Sequence, residues 1–292
     1  MKKHIGIIGG GAAGMMAAVT AARKGTKVTI LERNDRIGKK ILQTGNGKCN
    51  LGNRNLTVEC YHGGDAAWIK QALERFGTED TVCFFQKIGL LIKEKNGYLY
   101  PVSEQAASVL DVLRYELQTL GVEIIYGCKV QKVERTLSGK LVVNDGDREW
   151  QFDAVILTCG GKAAPGTGSD GSGWKIAKKA GHTCIAPVPA LVQLRCLETD
   201  LLKGIAGVRA DSRVRILCDG RETDVERGEL QLTEYGISGI PIFQLSRDVN
   251  YLLRDRKTVM AEIDFLPDMT EESYENMKET RRMLQEKRTA EE

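Results

Sequence analysis

The stretch IGIIGGGAAGMMAAVTAARKGTKVTILER, Ile5 to Arg33, leaves the start of this chain few folding options. Ile5–Ile8 is a short apolar run broken at once by Gly9-Gly10-Gly11, the pattern of a buried strand. Ala12 to Lys24 consists mostly of good helix formers, and Gly25 stands where a helix C-terminus favours a left-handed residue. Lys27–Leu31 reads as a second strand ending at Glu32. In this strand–helix–strand order, Gly9, Gly11 and Gly14 take the three glycine positions of G-x-G-x-x-G. Gly9 allows the tight turn, Gly11 lets a pyrophosphate approach the backbone, and Gly14 lets the helix pack closely on the strand. The helix N-terminus at Ala12 and Ala13 offers free N–H groups and a positive dipole end to phosphates. Glu32, at the end of the second strand, is placed to accept hydrogen bonds from ribose hydroxyls. A Gly-rich turn alone would be weak evidence; the full order of elements predicts a Rossmann-like dinucleotide-binding unit.

Composition narrows the class. A chain of 292 residues suggests about two domains. Lys plus Arg total 42 against 39 Asp plus Glu, a net charge of +3 that points to neither nucleic acid nor an anionic membrane surface. No apolar run approaches the roughly 20 residues of a bilayer span. Lys2 and Lys3 precede an apolar stretch that runs straight into glycines, so no signal peptide is expected. The eight cysteines show no C-x-x-C spacing, and with three scattered histidines they form no metal pattern. Reduced thiols in a cytoplasmic protein are the expectation. The later loop APGTGSDGSGWK lacks the Lys-Ser/Thr of G-x-x-x-x-G-K-[ST] and is no ATP cradle.

The segment RNDRIGKKILQTGNGKCNLGN, Arg33 to Asn53, carries Arg33, Arg36, Lys39 and Lys40 in its first half and is rich in Gly and Asn. Gly45-Asn46-Gly47 and Cys49-Asn50 bring backbone amides and short polar side chains together, a grouping suited to ligand contact. Together with IGGGAAGMMAA, YPVSEQAASVL, LTCGGKAAPGTGSDGSGWKIAKKAGH and LTEYGISGIP, this segment resembles the aminoacetone oxidase-like or NAD(P)/FAD-dependent oxidoreductase flavoproteins. That family includes bacterial 3-dehydro-bile acid Δ4,6-reductases. The resemblance covers essentially the whole chain and implies FAD. Gly9 through Gly14 would take the pyrophosphate and Glu32 the adenosine ribose, with Arg33 beside them. Lys40 and Gly45, Asn46, Cys49 and Asn50 would follow the cofactor toward its flavin end. Val130 would pass the adenine, and the strand ending at Gly160 and Gly161 would return to the dinucleotide.

Asp65–Phe76 and Ser103–Leu120 read as helices, the second from a Ser103 cap. Between them, LIKEKNGYLYPVS is a hairpin turning at Asn96-Gly97, with Tyr98 and Tyr100 on one face. Val122–Tyr126, Val130–Arg135, Lys140–Asn144 and a buried strand within Phe152–Gly161 follow, then a helix from about Gly173 to Ala180. Cys159 has no partner cysteine near it and reads as structural. Short strands at Val192–Arg195, Arg213–Cys218 and Glu229–Leu232, with turn residues between, suggest a β-rich domain. The LTEYGISGIP stretch within it reads as a Gly-kinked loop. Thr270 to Glu292 is a charged helix with a thin apolar stripe. The fold expected is α/β, a Rossmann-like FAD-binding domain of the glutathione-reductase type over residues 1–186. An inserted smaller β-rich domain with a C-terminal helix then covers residues 187–292. Relatives continue into a Gly-rich segment that closes over the flavin, which the sequence as read does not include, so FAD retention becomes a question for experiment.

No Ser-His-Asp, H-E-x-x-H or paired-carboxylate pattern points to hydrolysis. By resemblance, the leading expectation is an FAD-dependent oxidoreductase using NAD(P)H to reduce a conjugated C=C of a 3-oxo-Δ4 or Δ4,6 bile acid or its CoA thioester. Its partner would be a small-molecule substrate. The alternatives are a flavin amine oxidase of the aminoacetone type and a truncated flavin-binding protein without turnover. A flavoprotein acting on RNA is disfavoured by the small net charge.

Overall fold

The computed structural model describes residues 2–291, with side chains to residue 284. The chain forms two compact units, Met1–Cys184 and Ile185–Glu292.

In the first unit, β1 (His4–Ile8), α1 (Ala12–Arg23) and β2 (Lys27–Leu31) build the βαβ start. The strand β3 (Gly52–Asn53), helices α2 (Ala66–Arg75) and α3 (Thr78–Lys87), and the hairpin β4 (Ile92–Lys95) to β5 (Tyr98–Pro101) follow. Then come α4 (Ala106–Thr119), β6 (Glu123–Ile125), β7 (Lys132–Arg135), β8 (Leu141–Asn144), β9 (Glu149–Phe152), β10 (Ala154–Leu157) and α5 (Ser172–Lys179). A parallel sheet runs β10-β1-β2-β6, and β7-β8-β9 form a separate antiparallel sheet. The apolar runs of β1 and β2 exist because both faces of these inner strands are covered. Ile7 and Ile30 pack with Met15, Val19, Leu113 and Leu117 on one side, whereas Ile8 and Leu31 pack with Val143 and Phe152 on the other. That split follows from side chains alternating across a strand. The predicted turn is present, with Asn96 at φ 52° and Gly97 at φ 84°, as a two-residue hairpin loop of the I′ kind requires.

Two expectations for this unit need correction. Helix α4 starts at Ala106, not Ser103. The Ser103 hydroxyl instead accepts from the Gln105 N–H and pairs with Ser108 Oγ, closing a turn in which Glu104 sits at φ 52°. The expected strand within Phe152–Gly161 is also two elements: Phe152 ends β9, and β10 begins only at Ala154. Asp153 between them accepts from the His4 N–H at 2.7 Å. Because β10 is the outer strand of its sheet, Ile156 and Leu157 remain 36% exposed rather than buried.

Glu104 also yields an expected pH response. Lys48 and Lys93 both pair with it and hold its carboxyl down at about 2, against an ordinary value of 4.5. A depressed carboxylate contributes its stabilisation fully above the ordinary value and loses it as pH falls through the lowered one. Thermal melts from pH 5 downward should therefore show Tm falling less steeply in Glu104→Gln than in the parent chain.

The second unit contains β11 (Leu194–Arg195), α6 (Thr199–Lys203), β12 (Arg209–Cys218), β13 (Arg221–Thr233) and β14 (Gly236–Gly239). It continues with α7 (Ile240–Arg254), β15 (Val259–Asp264) and α8 (Glu271–Glu291). Its antiparallel sheet runs β11-β14-β13-β12-β15. Along β12, Ser212, Val214 and Ile216 are buried while Asp211, Arg213 and Arg215 are exposed, a strict period of two. Ile242, Leu245 and Val249 of α7 join Val214, Ile216, Leu230 and Leu232 in one core. The stretch expected to be a loop, Leu232–Pro241, is therefore a hairpin running into a helix, with Pro241 in the first turn, where its missing N–H costs nothing. A parallel-sheet Rossmann-like unit with a separate antiparallel β unit is the fold class that the sequence led to.

Candidate functional site

Where β1 meets α1, the backbone has no room for side chains. A Cβ on Gly14 would lie 1.9 Å from the Gly9 carbonyl oxygen, and one on Gly10 would lie 2.4 Å from Ile37 Cγ2. Gly9 itself sits at φ +106°. Gly11 is different, since a Cβ there would meet nothing within 4 Å. It borders a cleft of about 280 Å³. Helix α1 opens onto that cleft with no side-chain cap and no acidic residue in its first turn. Its first N–H groups and dipole are thus free for an anion.

Glu32 lies on the same cleft and is 5% exposed. One carboxylate oxygen accepts from the Gly10 N–H at 2.7 Å. The other accepts from the Asn34 N–H at 2.8 Å and from Asn34 Nδ2 at 2.7 Å. An ionised carboxylate can accept about four hydrogen bonds, so capacity remains for a ligand hydroxyl. Arg33 pairs with Asp170 at 2.7 Å. The guanidinium and the Ser172 groups hold the Asp170 carboxyl far below the usual aspartate range. Lys40 Nζ donates to Ser169 Oγ at 3.1 Å, and that hydroxyl reaches the Gly161 carbonyl at 3.2 Å. These contacts fasten the 160–172 loop to the segment after β2.

Of the residues singled out from sequence, Gly9, Gly11, Ala12, Ala13, Glu32, Arg33, Lys40, Val130 and Gly160 line the cleft together. Gly14 stands behind it as a packing residue, and Gly161 sits one step off, taking the Gly171 N–H. Gly45 and Asn46 form an exposed turn at φ 56° and 53°, outside the cleft lining. Asn50 bonds the Gly52 N–H with its side chain. Cys49 is buried in the apolar core with Ile41 and Leu110. Sequence reasoning covered Gly10 only within the Gly9–Gly14 range and missed Asn34, Gly38, Thr158 and Ser169. Nothing in spacing marks Asn34 or Ser169.

The thiols near the site are poor nucleophiles. Burial pushes Cys128 up to about 12 and Cys159 up to about 11, and raises Cys49 as well. Iodoacetamide labelling of the native protein should modify the exposed Cys60 and Cys83 first. Mass spectrometry should find Cys49, Cys128 and Cys159 unlabelled until denaturant is added. Among the described residues no group of His, Cys, Asp and Glu could hold a metal, and no helix is long and apolar enough to cross a membrane.

Comparison with known proteins identifies the family of the chain. Residues 3–247 match the HI0933-like protein Rossmann domain. The chain belongs to that family. Within this HI0933-like chain, 268 residues (91% of it) are 46% identical to a 3-dehydro-bile acid Δ(4,6)-reductase of Clostridium scindens, covering 65% of that protein. A ribosomal RNA dihydrouridine synthase of Haemophilus influenzae is 32% identical, over 90% of this chain and 64% of its own. The chain thus spans about two thirds of the length of the curated relatives it matches. Among solved structures, a 3-ketosteroid-Δ4-(5α)-dehydrogenase of Rhodococcus jostii superposes with a TM-score of 0.48 at 16% identity, covering 74% of this chain and 57% of that one.

Proposed function

We propose that this chain is the FAD-holding part of a reductase that saturates a ring C=C conjugated to a carbonyl, with NAD(P)H as donor. The proposed substrate is a small molecule, a 3-oxo-Δ4 or Δ4,6 bile acid, free or as its CoA thioester. The observation that carries it is the 46% identity, over 91% of this chain, to the 3-dehydro-bile acid Δ(4,6)-reductase. Bound in the cleft, FAD would supply hydride transfer, while the protein supplies binding and orientation. The α1 N–H groups at Ala12 and Ala13 would hold the pyrophosphate beside Gly9 and Gly11. Glu32 would accept from the ribose, and Val130 and Gly160 would flank the adenosine end. Arg33 and Lys40 would keep the surrounding loop in place. Gly45, Asn46, Cys49, Asn50 and Gly161 are proposed to serve the flavin end, and eight free cysteines suit a reducing cytoplasm.

A second reading has its own support, since another relative at 32% identity is a ribosomal RNA dihydrouridine synthase. Both names denote reduction of a ring C=C, so the reading common to them is conjugate reduction and the substrate is what differs. The test is a 300–600 nm spectrum, identification of the flavin released on heating, and NAD(P)H consumption with a 3-oxo-Δ4 bile acid. Released FAD with bile-acid-dependent NAD(P)H oxidation is expected. Turnover with RNA alone would establish the second reading, and peroxide formed from aminoacetone would make the protein an amine oxidase. Bound FAD that no donor reduces would leave a flavin-binding unit without turnover.

A further inference from the structure

Beside the dinucleotide cleft, and sharing Lys129, Val130, Ser172 and Ile176 with it, runs a groove of about 620 Å³. That volume lies within the roughly 300–1,000 Å³ of small-molecule sites. Its wall carries Lys129, Lys162, Lys175 and Lys178 around Trp174. None of these lysines has an ion-pair partner among the described residues. The acid in the lining, Asp170, is already engaged by Arg33. Lys178, in the last turn of α5, complements the C-terminal end of that helix. Lys129 and Lys162 lie outside the helix and have no such role. The indole is backed by glycine: a Cβ on Gly171 or Gly161 would lie 3.4 or 3.8 Å from its ring carbons. A concave wall combining an aromatic ring with several unpaired ammonium groups matches a ligand that has both a flat base and phosphates.

We infer that this groove binds a phosphorylated adenosine nucleotide distinct from the dinucleotide of the main cleft, with its phosphates among Lys129, Lys162, Lys175 and Lys178 and its base against Trp174. Two sources share that chemistry: a dinucleotide donor bearing a 2′-phosphate and a thioester carrier bearing a 3′-phosphate. The inference rests on the FAD reading for the main cleft, which leaves the groove open to a second ligand.

The test is equilibrium dialysis of the FAD-loaded protein against adenosine 2′,5′-bisphosphate, adenosine 3′,5′-bisphosphate, inorganic phosphate and a single-stranded RNA oligomer. Released flavin is measured in parallel, so a failure to hold FAD registers separately as a failure of the cofactor reading. The expected result is saturable binding of at least one bisphosphate, tighter than inorganic phosphate, with the preferred isomer identifying the source. The double variant Lys162→Ala/Lys175→Ala should weaken it on the order of tenfold and leave FAD content unchanged. Both side chains are exposed, so its fold should be intact. Trp174→Ala should weaken the bisphosphate and spare inorganic phosphate. The inference is overturned if neither bisphosphate binds, if phosphate binds equally well, or if RNA alone binds. It is also overturned if the lysine variant loses FAD, because the groove would then belong to the first site.

Discussion

Gly14→Ala is expected to destabilise the N-terminal unit by about 3 kcal/mol and to abolish retention of the dinucleotide. The new methyl would stand 1.9 Å from the Gly9 carbonyl oxygen. Neither neighbour can move aside, because that carbonyl is backbone of the turn between β1 and α1. It also accepts from Thr158 Oγ1 at 2.8 Å. Helix α1 must therefore lift from the sheet, carrying away the N–H groups that face the cleft and loosening Met15, Ala18 and Val19 in the core behind. Gly11→Ala is the matched control. Its methyl meets nothing within 4 Å in the protein, so the unfolding midpoint should shift by no more than about 1 kcal/mol, from loss of a favourable N-cap residue. Yet the same methyl occupies space at the rim of the cleft, and FAD affinity should fall on the order of tenfold. Denaturant titration combined with flavin release separates the two effects. Equal loss of stability in both variants would show that the glycines do not divide between packing and ligand approach.

Glu32→Ala is expected to remove about 3 kcal/mol and to weaken FAD binding on the order of a hundredfold. Three donors converge on this buried carboxylate, and alanine would leave the Gly10 and Asn34 N–H groups without a partner, Asn34 Nδ2 keeping only the Thr167 carbonyl at 3.3 Å. Glu32→Gln keeps the shape but turns one side of the group into a donor. An N–H would then face either the Gly10 N–H or the Asn34 donors, at a cost of about 2 kcal/mol. Urea unfolding of the apo and FAD-loaded forms would check this. If Glu32→Gln unfolds like the parent chain, the carboxylate is not organising the turn.

The parts of this architecture legible in the sequence are those set by local chemistry. The glycine spacing and the Asn96-Gly97 turn each encode their geometry within a few residues, whereas the cap that forms is Asp65, accepting from the Ala67 N–H at 2.8 Å, and not the expected Ser103. What was not legible depends on where distant segments meet. Ile156 and Leu157 look like core residues, but their strand lies at the sheet edge, which no local pattern reveals. Helix α7 was concealed by Gly236, Gly239 and Pro241, read as breakers. Proline in a first helical turn followed by Ile242, Leu245, Ser246 and Val249 is in fact a start signal with a regular buried stripe. Within the site, Glu32 and the fingerprint were visible because the βαβ context fixes their offsets. Ser169 was not, because it meets Lys40 from more than a hundred residues away, and Asn34 was not, because no spacing rule marks an asparagine two residues beyond Glu32.

Helix α1 begins without a capping side chain, although serine, aspartate or asparagine there would have been an easy stabiliser. An anion arriving at those N–H groups would complete the helix as a cap does. Stability of the first unit and occupancy of its cleft then become one linked equilibrium. A ligand present at a hundred times its dissociation constant adds about 2.7 kcal/mol to a folded state that alone can bind it. The supply of dinucleotide would thereby set how much of this protein persists folded, and so its abundance as well as its activity.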